Sequence, residues 1–331
     1  MDLICPAGSL PALRAAVDNG ADAVYLGFRD GTNARTFPGL NFDKEDAKRG
    51  IRYAHDRGAR VFLALNVFPQ PESWRRATGA LAQAVDIGIN AVILADAGLM
   101  KFAARTYPKL RLHLSVQASA TNRHAIAFFA EHFGIRRVVL PRVLSLPQVR
   151  GLVETTDVEV EIFAFGSLCV MVEGRCILSS FVTGESPNTR GVCSPARAVR
   201  WEETPAGRQT RLDGVLIDRF RPGEPAGYPT LCKGRYRVGE HTFHAIEEPT
   251  SMNVLSLLPE LQRAGVTALK VEGRQRSPAY VARVTQVMRE AIDACAANPD
   301  GFVPKPAWTD ALLRVSEGRT HTLGALHRPW Q

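Results

Sequence analysis

Residues 159–193 read EVEIFAFGSLCVMVEGRCILSSFVTGESPNTRGVC. The opening run sets Val160, Ile162, Phe163, Ala164 and Phe165 in one short β-branched and aromatic block, which is the pattern of a buried strand ending at Gly166. Irregular, glycine-punctuated sequence comes next and carries Cys169, Cys176 and Cys193. A fourth thiol, Cys232, lies in a second loop-like stretch, GYPTLCKG at 227–234. A strand that ends in a chemistry-bearing loop is one unit of a pattern that recurs along the chain.

Working outward, short apolar runs alternate with amphipathic segments. Leu3–Cys5 is a first strand, and Leu10, Leu13, Ala16 and Val17 then recur at helical spacing up to Gly20. AVYLGF is the second strand. Asp43 starts the next helix as an N-cap, with Asp46 in place of the Glu or Gln of a full capping box, and Gly58 ends it. RVFLALNVF, AVILAD, LRLHLSVQAS and RRVVLPR are the following strands. Between them lie helices at 72–88, 99–107 and 124–134, with a sixth at 146–153. The 159–166 strand is the seventh. After a long interval come a helix at 254–265, the strand ALKVEG and a closing helix at 279–297.

Strict alternation implies parallel strands joined by right-handed crossovers, and eight such units are the pattern of an α/β fold of the TIM-type (β/α)8 barrel class. A doubly wound open sheet is the alternative. It would be expected to carry a G-x-G-x-x-G or Walker fingerprint at a strand-to-helix turn, and neither occurs. The predicted organisation is therefore a first part of the barrel at 1–166, a cysteine-rich insertion on its C-terminal face at 167–250, the last part of the barrel at 251–300 and a C-terminal tail at 301–331. Val199–Phe243, with Gly234 and Gly239, reads as small β-hairpins over the mouth. The loop 29–41, RDGTNARTFPGLN, is long enough for a lid bent by Gly31, Pro38 and Gly39.

Four thiols suit one metal centre. Structural zinc usually pairs its ligands in C-x₂₋₄-C knuckles, and no such pair exists here, so the spacing favours an iron–sulfur cluster. Zinc and four unrelated core thiols remain the alternatives. Cys5, in the first strand, and Cys295, on the last helix, read as core packing. Polar residues where strands give out are further candidates for the same pocket: Asn66, Asp96, Gln117, Ser119, Arg142 and Glu272. Each could equally cap the helix that follows. Arg142 and Lys270 could anchor a carboxylate-bearing small molecule. His113 reads as a residue within its strand. Trp308 and Trp330, near the end, could meet a partner or tuck against their own domain. The catalytic residues are not readable.

EIFAFGSLCVMVEGRCILSS, at 161–180, resembles the signature of the collagenase-like peptidase family U32, matched at Glu161, Gly166, Cys169, Gly174, Cys176 and Ser179. With Cys193 and Cys232 the resemblance extends to the family's ubiquinone-biosynthesis branch and covers nearly the whole chain. It implies a 4Fe–4S cluster on Cys169, Cys176, Cys193 and Cys232. The implied function is oxygen-independent hydroxylation of ubiquinone precursors, in a heterodimer with a homologous cluster-bearing partner. A lipid-carrier protein presenting the precursor is a further implied partner, and a dicarboxylate such as prephenate is the implied hydroxyl donor. Within the same family the alternative is hydroxylation of a base in tRNA or rRNA, ranked second because the chain shows no concentrated basic stripe. Proteolysis ranks below both, since no G-x-S-x-G elbow or H-E-x-x-H site is present. A purely structural cluster in a binding subunit is the fourth reading.

Composition fits these readings. The chain has 331 residues, 45% of them hydrophobic, and a formal charge of +8 that is spread along it rather than gathered. Such an excess permits anionic small molecules or nucleic acid without requiring either. The start, MDLICPAGS, lacks the basic and apolar regions of a signal peptide, so a cytoplasmic protein is expected, with its six cysteines unlinked.

Overall fold

The structure, a computed structural model, describes all residues except 37–38, 170, 172–175, 188–191 and 328–331. The first seven strands are β1 (Asp2–Pro6), β2 (Ala23–Leu26), β3 (Arg60–Leu65), β4 (Ala91–Leu94), β5 (Arg111–Leu114), β6 (Arg137–Val139) and β7 (Glu159–Ser167). After them come β8 (Val199–Thr204), β9 (Gly207–Leu212), β10 (Val215–Phe220), β11 (Tyr236–Val238), β12 (His241–Phe243), β13 (Ser251–Asn253), β14 (Ala268–Val271) and β15 (His321–Thr322). Strands β1 to β7 pair in chain order, β14 pairs with both β1 and β7, and all these ladders are parallel. The result is the closed eight-stranded barrel that the alternation predicts. AVYL, AVIL and ALKV are buried along their whole length, as strands covered on both faces must be.

Helix starts follow the sequence. Ser9, Asp43, Asp96, Asn122 and Ser277 each accept a hydrogen bond from a backbone N–H of the first turn, and Ser145 with Gln148 completes a capping box. Three boundaries differ from expectation. LRLHLSVQAS is strand only to Leu114, because the Ser115 hydroxyl accepts from the Gln117 N–H and starts a 3-10 turn that ends on Ser119 at φ 57°. The helix expected at 254–265 is a 3-10 turn, Leu255–Leu257, leading into Leu258–Arg263. The tail contains a helix, Pro306–Leu313, in which Trp308 is buried and donates to Glu290; Trp330 lies outside the described residues.

Strands β8–β10 form an antiparallel sheet and β11–β12 a hairpin, as the sequence between 199 and 243 predicts. Strand β7 outruns the barrel. Its last residues pair antiparallel with β13, which in turn pairs with β15, so the C-terminal segment is tied to the barrel mouth. Among the described residues no helix is long and apolar enough to cross a membrane.

Inside the barrel an apolar layer that includes Ile4, Tyr25, Phe62 and Ile93 lies above a charged one at the strand N-termini. Arg137 is the hub: it donates to Asp2 at 2.9 Å, Glu159 at 2.7 Å and Glu161 at 3.2 Å. Beside it His113 accepts from the Arg111 Nε at 3.1 Å, which leaves the ring proton on Nδ1, where no group among the described residues receives it. Burial drives the His113 pKa well below 6.5, and Arg137 and Arg111 push the same way.

The unfolded chain therefore binds a proton at His113 below about pH 6.5 that the folded chain refuses. Stability should fall with acidification there, with a slope from this residue that approaches about 1.4 kcal/mol per pH unit well below pH 6.5. Urea unfolding between pH 7 and 5.5 should show a loss of about 1.3 kcal/mol from this residue, and His113→Gln should remove it. An unchanged slope would mean that the imidazole is charged in the fold.

Candidate active site

At the C-terminal end of the barrel lies a cavity of ≈ 210 Å³. Its walls bring together segments far apart in sequence, and all four loop thiols line it. Cys169 follows the end of β7, Cys176 precedes the short helix Leu178–Thr183, Cys193 follows the undescribed residues 188–191, and Cys232 lies in the 3-10 turn Leu231–Lys233. None of the six cysteines forms a disulfide. Burial raises the Cys232 thiol to about 11, and the neighbouring Cys193 adds to the rise. Cys5 and Cys295 sit in the core, away from the cavity, where Cys5 accepts from the Thr285 hydroxyl and Cys295 donates to Gln262.

The donor set is uniformly soft. Among the described residues no three His, Cys, Asp or Glu side chains converge tightly enough for a single ion. A cubane takes one thiolate at each of four irons and so asks for a wider ring of sulfurs, which four thiols around one cavity fit better than they fit a mononuclear zinc site. Gly174, part of the family signature, lies outside the described residues.

Cationic side chains line the same cavity. Lys270 donates to Glu161 at 2.6 Å and lies 4.1 Å over the Tyr25 ring, whose hydroxyl donates to the Val271 carbonyl. Burial lowers the Lys270 pKa although Glu161 opposes the shift. The Arg142 guanidinium lies 3.5 Å from the centre of the Phe163 ring. Burial alone would raise Glu272, but Arg35, 3.6 Å away, and Arg142 outweigh it, so its carboxyl is held below the ordinary range.

The loop after β2 is pinned rather than loose. Asn66 accepts from the Ala34 N–H and donates to Ser115, and Arg274 donates to Asn33 at 2.8 Å. Arg274 meets the amide oxygens of Asn33 and Asn41 rather than a carboxylate, and burial lowers it to about 10. A side chain at Gly27 would meet Arg274 and Asn33 at 2.5 Å, so the close approach needs glycine. Pro38, within this loop, lies outside the described residues.

Of the strand-end candidates, Asn66, Gln117, Arg142, Lys270 and Glu272 all line the cavity. Asp96 and Ser119 do not. Asp96 accepts from the Leu99 N–H as a helix cap at 2.7 Å, and Ser119 ends the 3-10 turn. Tyr25, Ser167, Lys233, Arg274 and Glu317 line the cavity too, although their sequence positions do not mark them as site residues. Lys233 and Arg274 were reachable from their neighbours Cys232 and Glu272. Glu317 had no signal, because it arrives from the tail.

Gly166 joins the two halves of the site. Its φ is +131°, and a Cβ there would lie 2.7 Å from that of Glu272. Gly166→Ala should cost about 1–3 kcal/mol in denaturant unfolding, and wild-type stability would show that the β7 end relaxes freely.

The sequence profile of peptidase family U32 matches residues 8–329. The chain is 30% identical over 322 residues to tRNA hydroxylation protein P1 of Bacillus subtilis, covering 97% of this chain and 70% of that one. It is 33% identical over 352 residues to tRNA hydroxylation protein P of Escherichia coli, covering 99% and 74%. A solved structure described as the U32 peptidase Mk0906 is similar with TM-score 0.48 at 14% identity, covering 82% of this chain and 93% of that one. The match spans β2 to the C-terminal segment, with the thiol-bearing loops inside it, and the chain belongs to peptidase family U32.

Proposed function

We propose that this chain is an iron–sulfur protein of oxygen-independent hydroxylation, with a 4Fe–4S cluster on Cys169, Cys176, Cys193 and Cys232, and that its substrate is a base in tRNA or rRNA. One observation carries the reading: the four thiols and the polar strand ends open on one cavity of ≈ 210 Å³. A cluster there would supply one-electron transfer. The chain's own residues do the rest. Phe163 and Arg142 offer a flat, stacked wall to an aromatic ring, and Lys270 and Arg274 offer positive charge to a carboxylate-bearing hydroxyl donor. The buried walls keep bulk water from the reacting atoms.

A cavity of this size suits one ring taken out of its stack, as enzymes that modify bases require. The RNA reading is supported by relatives named for tRNA hydroxylation, which align along 97% and 99% of this chain. That alignment outweighs the lack of a concentrated basic stripe, which puts the RNA substrate second from sequence alone.

A second reading keeps the ubiquinone precursor. There the protein would be UbiU-like and would work in the cytoplasm with a UbiV-like cluster partner and a lipid-carrier protein. A specific observation favours it: Ile177, next to Cys176 in the chain, and Phe181 are 73% and 91% exposed, an apolar surface that would suit an isoprenoid tail.

Anaerobic purification with iron and sulfide analysis tests the cluster. Ala at Cys169, Cys176, Cys193 or Cys232 should strip most of the iron, whereas Cys5→Ala and Cys295→Ala should keep it. A variant lacking all four thiols yet holding full iron and sulfide would overturn the assignment. A deletion strain grown without oxygen separates the substrates. Loss of a hydroxylated nucleoside with normal ubiquinone supports RNA, and the reverse supports the quinone and its partner.

A further inference from the structure

The cavity is lined by an ion pair, buried Lys233 with half-buried Glu317, that the proposed chemistry leaves without a role. Lys233 follows the thiol Cys232 directly and lines the same cavity, with its side chain 6% exposed. Its ammonium donates to Glu317 at 2.6 Å and to the Ser167 hydroxyl at 2.8 Å, and Ser167 in turn donates to Glu317 at 2.8 Å. Three distant parts of the chain meet here: the end of β7, the thiol-bearing turn and the C-terminal segment.

The tail is shaped to deliver that carboxylate. The Glu317 N–H donates to the Ser251 hydroxyl at 2.9 Å, and Ser251 pairs with Ser167 across the β7–β13 ladder. Gly318 has φ +61°, and a Cβ there would lie 1.9 Å from the Pro249 carbonyl oxygen, so only glycine allows the turn to press so close. Strand β15 then fixes the segment to β13. A surface ion pair would need none of this, and an isolated one contributes little to stability.

A charge fixed in a buried site acts on any neighbouring group whose charge changes, and one-electron reduction makes a cluster more negative by one unit. We propose that Glu317 and Lys233 are positioning residues that set the reduction potential of the thiol-ligated centre, with Glu317 screening the Lys233 ammonium beside Cys232. This rests on the cluster reading above. Removing the carboxylate bares the ammonium and makes reduction easier; removing the ammonium makes it harder. The two substitutions therefore move the potential in opposite directions, which a merely structural pair would not do.

The test is a redox titration of anaerobically purified full-length protein, followed by optical and electron paramagnetic resonance spectra. Glu317→Gln should raise the midpoint potential, Lys233→Met should lower it, and Lys233→Arg should hold it near wild type. The double variant, with both charges gone, should return close to the wild-type value, and it carries the test if either single variant fails to load. Shifts in the same direction, no shift in loaded single variants or a displaced double variant would overturn the proposal. Wild-type protein without iron and sulfide would instead overturn the cluster reading, and this inference would fall with it.

Discussion

The Glu161 carboxylate holds the molecule's two purposes together. It is wholly buried at the centre of the barrel, where an unpaired charge would cost several kcal/mol, and it survives because Lys270 and Arg137 each take one of its oxygens. Lys270 stands on β14 and Glu161 on β7, the two strands whose ladder closes the sheet on itself. Closure and charge pairing therefore require each other. Below the pair, Arg137 passes the constraint to Asp2 and Glu159 and thence to Arg60 and Arg111, so five strands share one network at their N-terminal ends. Lys270 also lines the cavity.

The same two strands each contribute to the site, where alternate residues of a strand face the same way. Lys270 and Glu272 both reach the cavity from β14 and its exit, and Phe163 does so from β7. Between Lys270 and Val271 the register with β7 shifts, so that Phe163 and Phe165 face successive residues. An irregularity of this kind bends a strand and re-aims the residues beyond it. Here it frees the end of β7 to leave the barrel, pair with β13 and present Ser167 and Cys169 to the cavity.

Legibility in the sequence divides along the range of the interactions. Each strand–helix unit writes its own periodicity and caps within about twenty-five residues, and Asp43, Ser145 and the buried AVIL run needed no distant partner to be legible. The thiols were legible because their residue type is scarce and their loops have no core to fill. Asn66, Gln117, Arg142 and Glu272 showed themselves by position at strand ends. The same rule misplaced Asp96, since a carboxylate at a strand end can equally cap the next helix, and there the local bond to the Leu99 N–H wins. Tyr25 reads as an ordinary strand residue. Glu317 and β15 depend on pairing with segments some seventy to one hundred and fifty residues away, which no local pattern encodes.

The charge distribution then limits what the proposed centre can do. Among the described residues five cationic and two carboxylate side chains line the cavity, an excess that favours thiolates and bound anions there. A cluster with Cys at all four irons keeps no open coordination position, so it moves electrons rather than binding the reacting oxygen itself. On the reading proposed above, bond making would then fall to other groups on the same cavity, among them Lys270, Arg142 and Gln117, with the Phe163 ring beside Arg142. Strand β7 carries Phe163 and runs on into Cys169, both of which line the cavity, so the strand that closes the barrel also ties an aromatic ring of the site to one of its thiols.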